Sequence, residues 1–192
     1  MNHNTYNPDS SKSNTVSAIA IEDKIGFKIN SLQKDQRNAN QDTIKDFCEK
    51  IRVACKSRSS KDFLIAARIE SFILGKGLKH ALERADQYSK SGADLILIHS
   101  KEKSPKEIFK FAKYFKKSKH FRPMIAVPSS YSKVTENDLI RHGFKIVIYA
   151  NHLLRAAYPS MKSTAVSILK NSRSFEIEKK IISVNEIINL IK

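Results

Sequence analysis

Short runs of apolar, branched residues recur along this chain, and some of them end on a residue that can bind an anion. Residues 65–67 run into Arg68, and residues 95–98 run into His99. Each run has the length and composition of a buried strand. Apolar residues at helical spacing lie between the runs, as in the segment that follows Pro105. The pattern therefore predicts alternating strands and helices, which is typical of a parallel sheet.

Five strand–helix units can be placed along the sequence. The strands are predicted at residues 16–21, 63–67, 95–98, 124–127 and 146–149. A polar segment, residues 25–41, separates the first strand from a helix that we expect Asp42 to cap. A long helix near the C-terminus is expected to bury one apolar face, formed by Ala157, Met161, Ala165, Ile168 and Leu169.

Five such units fit either a small doubly wound sheet or most of a (β/α)8 barrel. No predicted strand is followed by the glycine-rich pattern of a dinucleotide site or of a P-loop, which favours the barrel. We therefore predict an α/β fold, an incomplete (β/α)8 TIM-type barrel of about five βα units with added C-terminal helices. Residues 16–192 would form this single partial barrel domain. Residues 1–15, which are polar and lack periodicity, are predicted to be a disordered lead-in.

A candidate site follows from the way that strands end in such a fold. The carboxyl ends of parallel strands gather at one mouth, so Arg68 and His99 are expected to share it. A guanidinium offers a bidentate fork to phosphate or carboxylate oxygens, and an imidazole adds one more donor. Arg68 and Glu70 are two residues apart and face the same way, so a plain salt bridge is the alternative. The sequence therefore predicts a site for a small anion.

Composition and charge limit the possible partners. The net charge is +16, but the lysines are scattered over every predicted helix face. No aromatic-interleaved RNA-binding stretch or helix-turn-helix pattern is present, so nucleic-acid binding is not the expected function. No apolar run approaches the roughly 20 residues that cross a bilayer, and the first residues lack the apolar stretch of a secretory signal. We expect a soluble cytoplasmic protein with no membrane partner.

Several motifs, taken in chain order, resemble the phosphoenolpyruvate mutase branch of the isocitrate lyase superfamily. The match begins at about residue 16 and reaches the C-terminus. The motifs are Ile21-Glu22-Asp23-Lys24, Lys28-Ile29-Asn30-Ser31-Leu32, Ala67-Arg68-Ile69-Glu70-Ser71-Phe72, Gly92-Ala93-Asp94, Ile98-His99-Ser100, Val127-Pro128 with Tyr131, and Ala150-Asn151-His152 with Leu154-Arg155-Ala156. Any one of them alone would be weak, but their consecutive order is specific.

The resemblance implies an activity and a set of substrate contacts. Enzymes of this branch are (β/α)8 barrels that bind Mg²⁺ and an α-oxo acid or its enol. The mutases are isomerases that interconvert phosphoenolpyruvate and phosphonopyruvate, which makes the carbon–phosphorus bond that opens phosphonate biosynthesis. By this resemblance Arg68 and His99 hold the transferring phosphoryl group, and Ser100 belongs to the substrate-binding set. The implied partner is therefore a small anionic substrate.

The resemblance also implies a metal contact and a loop. It places Glu22 in the Mg²⁺ shell, through water, and it places Lys28 and Asn30 on a loop that closes over the substrate. Asn30 resembles the mutases more than the related phosphonopyruvate hydrolases. The isocitrate lyases carry a cysteine in this loop, and residues 24–28 contain none, which disfavours C–C lyase chemistry by that route.

The length of the chain leaves other possibilities open. A full barrel of this type needs roughly 250 residues, and the resemblance implies that this chain begins at the fourth strand. The missing strands would supply the Mg²⁺-binding Asp pair and the loop that cradles the substrate. We therefore expect weak Mg²⁺ binding and either a homo-oligomer or a complementing N-terminal chain. A phosphonopyruvate hydrolase, a 2-oxo acid lyase, and a non-catalytic remnant or basic binding module are the alternatives.

Overall fold

The structure is a computed structural model that describes residues 16–26, 29–33, 35–36 and 39–190. The predicted lead-in at residues 1–15 lies outside these residues. The contacts divide the chain into two compact units, Met1–Ile148 and Tyr149–Lys192. The single domain over residues 16–192 stays a prediction.

Five parallel strands form the centre of the first unit, which confirms the predicted α/β class. These five strands and two short ones, numbered together in chain order, are β1 (Ala18–Glu22), β2 (Lys24–Ile25), β3 (Asn40–Gln41), β4 (Leu64–Ile69), β5 (Leu95–Ile98), β6 (Met124–Ala126) and β7 (Phe144–Val147). The main sheet has the order β1-β4-β5-β6-β7, and each strand is parallel to the next. Over the described residues this sheet is open, with β1 and β7 at its edges. The strands β2 and β3 form a short antiparallel pair within the segment predicted to be a loop.

Helices cover one face of the main sheet. They are α1 (Ile44–Ser57), α2 (Gly77–Lys90), α3 (Lys106–Phe115) and α4 (Glu136–Arg141). Their apolar residues and alternate strand residues form the main core, which includes Phe47, Ala67, Ile69, Ala81, Ala85, Ile96, Ile98, Phe111 and Leu139. Successive residues of a strand point to opposite faces of a sheet. The strand residues that lie between these core residues therefore point to the other face.

That other face is apolar along most of its length and polar at its carboxyl end. Its apolar residues form a second, smaller cluster of Ala66, Leu95, Leu97, Ile125 and Val127. Arg68 follows Ala66 by two residues and therefore shares this face. In the strand register Arg68 lies between Glu22 of β1 and Leu97 of β5. The sheet thus brings charged side chains together where the predicted mouth was expected.

The start of α1 differs from the prediction by one residue. Thr43 is the N-cap, and its hydroxyl accepts a hydrogen bond from the Asp46 amide at 3.1 Å. Asp42 instead forms an ion pair with Lys50 at 2.5 Å, and its amide binds the carbonyl of Asp23 at 2.7 Å. Both Asp and Thr are good N-caps, so the tertiary contacts of Asp42 decided which of the two fills the position.

The second unit consists of helices. These are α5 (His152–Asn171), a 3₁₀ turn (Glu178–Lys180) and α6 (Val184–Asn189). The expected buried face of α5 was wrong, because no residue of this helix is buried and Leu169 is 80 % exposed. Helical spacing shows which side of a helix is apolar, but it does not show whether another element covers that side. Among the described residues, no helix has both the length and the apolarity that crossing a membrane requires.

Candidate active site

Arg68 and Glu70 form the centre of the candidate site. They lie on the same side of the chain at the end of β4, and Nε of Arg68 donates to Oε1 of Glu70 at 2.7 Å. Glu70 is completely buried, whereas the side chain of Arg68 is 26 % exposed. The guanidinium therefore keeps a face toward solvent while its position is fixed by a buried carboxylate. Such a cation can bind an incoming anion with little reorganisation.

Ser31 connects the polar segment after β2 to this pair. Its hydroxyl donates to Oε2 of Glu70 at 2.5 Å and accepts from Nη2 of Arg68 at 2.8 Å. Lys24 Nζ also donates to the same hydroxyl, at 3.3 Å, and to the carbonyl of Ile29 at 2.6 Å. The described residues 29–33 are thus attached to the floor of the site. The sequence alone indicates no role for Ser31, although this residue lies in one of the motifs that carry the resemblance.

Two carboxylates and two cations balance each other here. Lys24 Nζ lies 3.5 Å from Oε1 of Glu22 and 3.5 Å from Oε2 of Glu70, and Nε of Arg68 lies 3.5 Å from Oε2 of Glu22. Burial alone would raise the pKa of Glu70, but the charge of Arg68 and the hydrogen bond from Ser31 hold that pKa below its usual value. Glu70 is therefore ionised at neutral pH and offsets the two cations.

His99 is the neutral member of the site. Its side chain follows β5 and is 4 % exposed, and its Nδ1 is buried without a hydrogen-bond partner. Burial, followed by the positive charge of Arg68, lowers the pKa of His99 to about 4. The ring is therefore neutral at pH 7 and has an unused polar atom, which is unusual for a buried group. A bound ligand could supply the missing partner.

The pH dependence of stability should report this histidine. Its pKa is 6.5 when unperturbed and about 4 in the folded chain, so the unfolded chain takes up a proton that the folded chain does not. Stability should therefore be complete above about pH 7, and His99 should cost about 2 kcal/mol by pH 5. Urea unfolding at several pH values measures this loss, and His99→Gln should remove it. An identical pH profile in the variant would show that His99 is not buried in its neutral form.

The structure does not bring every predicted site residue to this cluster. Ser100 is buried, and its hydroxyl donates to Glu107 of α3 and accepts from the Glu102 amide at 3.1 Å. Asn30 is exposed, and its Oδ1 accepts from the Leu32 amide at 2.9 Å. Lys28 lies outside the described residues. Glu22, Arg68 and His99 are thus the predicted residues that the fold gathers, and the roles of all of them in a reaction stay predictions.

Comparison with known proteins identifies the family. The profile of the phosphoenolpyruvate phosphomutase family matches residues 7–169. The chain belongs to this family. It is 38 % identical over 176 residues to the phosphoenolpyruvate phosphomutase of Tetrahymena pyriformis. These residues are 92 % of the chain and 57 % of that protein. It is also 38 % identical over 175 residues to the phosphonopyruvate hydrolase of Variovorax sp. (strain Pal2), covering 91 % and 59 %.

Two solved structures of similar proteins share this fold. The phosphoenolpyruvate phosphomutase of Streptomyces platensis subsp. rosaceus has a TM-score of 0.83 at 34 % identity, over 91 % of the chain and 59 % of that protein. A phosphonopyruvate hydrolase in complex with oxalate and Mg²⁺ has a TM-score of 0.78 at 36 % identity, over 91 % and 58 %. The chain therefore spans about three fifths of the length of these relatives.

The described residues supply only part of a metal shell. Among them, no three His, Cys, Asp or Glu side chains lie close enough together to hold an ion. Glu22 is the one acidic group of the cluster that is partly open to solvent, at 18 %, and it faces Arg68 and Lys24 at 3.5 Å each. A single carboxylate fits Mg²⁺ that keeps most of its water ligands. It does not fit a site that binds the ion tightly by itself.

Proposed function

We propose that this site binds the phosphoryl group of phosphoenolpyruvate and phosphonopyruvate in the phosphomutase reaction. The observation that carries the proposal is a partly exposed Arg68 whose charge acts on a buried, neutral His99, and the Nδ1 of this histidine has no partner. A phosphoryl oxygen would satisfy both the guanidinium and the imidazole. Membership of the phosphoenolpyruvate phosphomutase family supports the same assignment.

The residues would act through position and charge. The reaction breaks the bond between phosphorus and the enol oxygen and forms a bond between phosphorus and carbon 3 of the same three-carbon unit. Because the transferring group is loosely bound to both atoms, the protein mainly has to orient it and stabilise its charge. Arg68 would bind its oxygens with the part of the guanidinium that Glu70 leaves free. His99 would donate one hydrogen bond as a neutral ring.

Exclusion of water would separate the mutase from the hydrolase. Water that reaches the phosphoryl group captures it and yields pyruvate and phosphate. Ser31 brings residues 29–33 against Arg68 and Glu70, and this contact supports a covered site. We further propose Lys28 and Asn30 as loop residues near the substrate and Ser100 as part of the substrate-binding set, by their match to the family motif.

The hydrolase is the second candidate. The Variovorax phosphonopyruvate hydrolase and the Tetrahymena phosphomutase are equally similar to the chain, at 38 % identity each. Phosphorus NMR of the purified chain with phosphonopyruvate and Mg²⁺ separates the two. A phosphoenolpyruvate signal supports the mutase, and inorganic phosphate alone supports the hydrolase. If neither appears, and phosphonopyruvate also fails to perturb the His99 ring signals, the chain is a non-catalytic member of the family.

Magnesium is the proposed cofactor, with Glu22 as a ligand through water. The ion would neutralise developing charge when bound. Since Glu22 is the single open carboxylate of the described cluster and has two cations beside it, calorimetric titration of this chain should give a Kd on the order of millimolar or weaker. Binding that is a thousandfold tighter would show that a complete metal site is present.

A partner and a location complete the proposal. We propose that the open sheet is completed in an assembly, either a homo-oligomer or a complex with an N-terminal chain that supplies further strands. We also propose a cytoplasmic location and a role in phosphonate biosynthesis, on the basis of the family reaction. Sedimentation of the purified chain, alone and with a polypeptide covering the remaining length of the relatives, tests the assembly.

A further inference from the structure

A second polar network, which the proposed reaction does not use, lies buried beneath the site. Its centre is Asp23, which is 0 % exposed. The Oδ2 atom of Asp23 accepts hydrogen bonds from Gln41 at 2.8 Å, from Tyr88 at 2.8 Å and from Arg84 at 3.1 Å. Its Oδ1 atom accepts from the amide of Glu70 at 2.9 Å. Such a set of partners replaces the hydrogen bonds to water that a buried carboxylate loses.

The network joins both ends of the segment that carries Ser31. Asp23 directly precedes β2, and its carbonyl accepts from the amide of Asp42 at 2.7 Å. Arg84 of α2 donates to the carbonyl of Asp42 at 2.6 Å. Gln41, the last residue of β3, binds both Asp23 and, at 3.2 Å, the hydroxyl of Ser71. The two stems of residues 24–41 are therefore attached to each other and to α2.

The same carboxylate also reaches the floor of the site. The backbone amide of Glu70 donates to Asp23, and the side-chain carboxylate of Glu70 accepts from Arg68 and Ser31. A displacement of Asp23 would therefore move the stems of the segment and the anchor of Arg68 together.

We infer that Asp23, held by Arg84 and Tyr88, is a positioning residue that fixes the Ser31 segment and Glu70 relative to Arg68. The inference rests on the proposed function, since it assumes that Arg68 binds the substrate. Asp23 itself does not touch the substrate. It would hold Arg68 and the segment that carries Ser31 in fixed relative positions before the substrate binds. The entropy that is lost when these groups are ordered on binding is then smaller.

Hydrogen exchange of the full chain without substrate tests this inference. Tyr88→Phe removes one hydroxyl with little change in volume, and Asp23→Asn removes the charge. In both variants, peptides that contain residues 29–33, 41–43 and 70 should exchange about tenfold faster or more. The reason is that each substitution weakens the hydrogen bonds around the buried Asp23 carboxylate. The peptide that covers β5 should be unchanged. NMR titration should also show the pKa of the His99 ring rising toward its ordinary value as Arg68 loses its fixed position.

The matched control is another Asp–Arg pair on the same sheet. Asp94, which precedes β5 at the opposite end, accepts from Arg58 at 2.6 Å and from the Ile65 amide at 2.8 Å. Asp94→Asn should lower Tm comparably but leave the exchange of residues 29–33 and the His99 titration unchanged. Equal effects of both aspartate variants, or unchanged exchange in Tyr88→Phe, would overturn the inference. Because no substrate is used, a failed turnover assay would count against the proposed function alone.

Discussion

Replacing Arg68 with alanine is expected to lower the turnover of phosphonopyruvate by on the order of two to three decades. One donor that stabilises developing charge contributes about 3–4 kcal/mol to the barrier, and this arginine is the cation of the site that keeps an exposed face, at 26 %. The change should appear mainly in kcat, since Arg68 would orient the phosphoryl group while it is only loosely bound during transfer. Phosphorus NMR time courses, in an assembly that shows activity, measure the effect.

Two further variants make this result specific. Arg68→Lys keeps the charge but loses the planar fork, so we expect a smaller loss than with alanine. Arg122→Ala removes a half-buried arginine that donates to the carbonyl of Ala93 at 3.1 Å, before the start of β5. It should leave turnover within a few-fold of the original. Near-normal turnover in Arg68→Ala would remove this residue from the mechanism.

Replacing Glu70 with glutamine should have the largest effect on stability. Glu70 is completely buried and is paired with Arg68 at 2.7 Å and with Lys24 at 3.5 Å, and the side chain of Lys24 is only 2 % exposed. Neutralising the carboxylate leaves these cations without their main counter-charge. Removing one partner of a buried ion pair typically costs about 3–5 kcal/mol. Urea denaturation at neutral pH should show this decrease in the free energy of unfolding.

The matched control is an ion pair on the surface. Glu49 and Arg52 of α1 lie 2.8 Å apart, and their side chains are 63 % and 50 % exposed. Since water screens such a pair, Glu49→Gln should change the free energy of unfolding by less than about 1 kcal/mol. If Glu70→Gln costs no more than this control, the cluster is hydrated in solution and does not stabilise Arg68.

The strands and the central pair of the site could be predicted from local sequence. Runs of apolar residues predicted β5 to the residue and β4 to within two residues at its ends, because strands buried on both faces tolerate few polar residues. The two-residue period then placed Arg68 and Glu70 on one side, and their contact confirms that relation. The parallel arrangement brought Arg68 and His99 to the same end of the sheet, since all strands of such a sheet point the same way.

Contacts between distant residues could not be predicted in this way. Ser31 and Glu70 are 39 positions apart, and Asp23 and Tyr88 are 65 apart. No local periodicity relates such positions, and serine and tyrosine are common in many surroundings. A contact near neighbouring residues is equally hard to foresee, since Ser100 follows His99 directly but its hydroxyl binds Glu107. Adjacent residues at the end of a strand face opposite sides.

By itself, the sequence determined the alternation of strands and helices, the class of the fold, the family, and the face on which Arg68 lies. These properties depend on short-range periodicity and on motifs that are continuous in the chain. The tertiary structure alone decided that Ser31 binds Arg68, that Asp23 joins the stems of residues 24–41, and that α5 buries none of its apolar residues. Such properties depend on which surfaces meet after folding, and the free energy of those contacts is not encoded in any single segment.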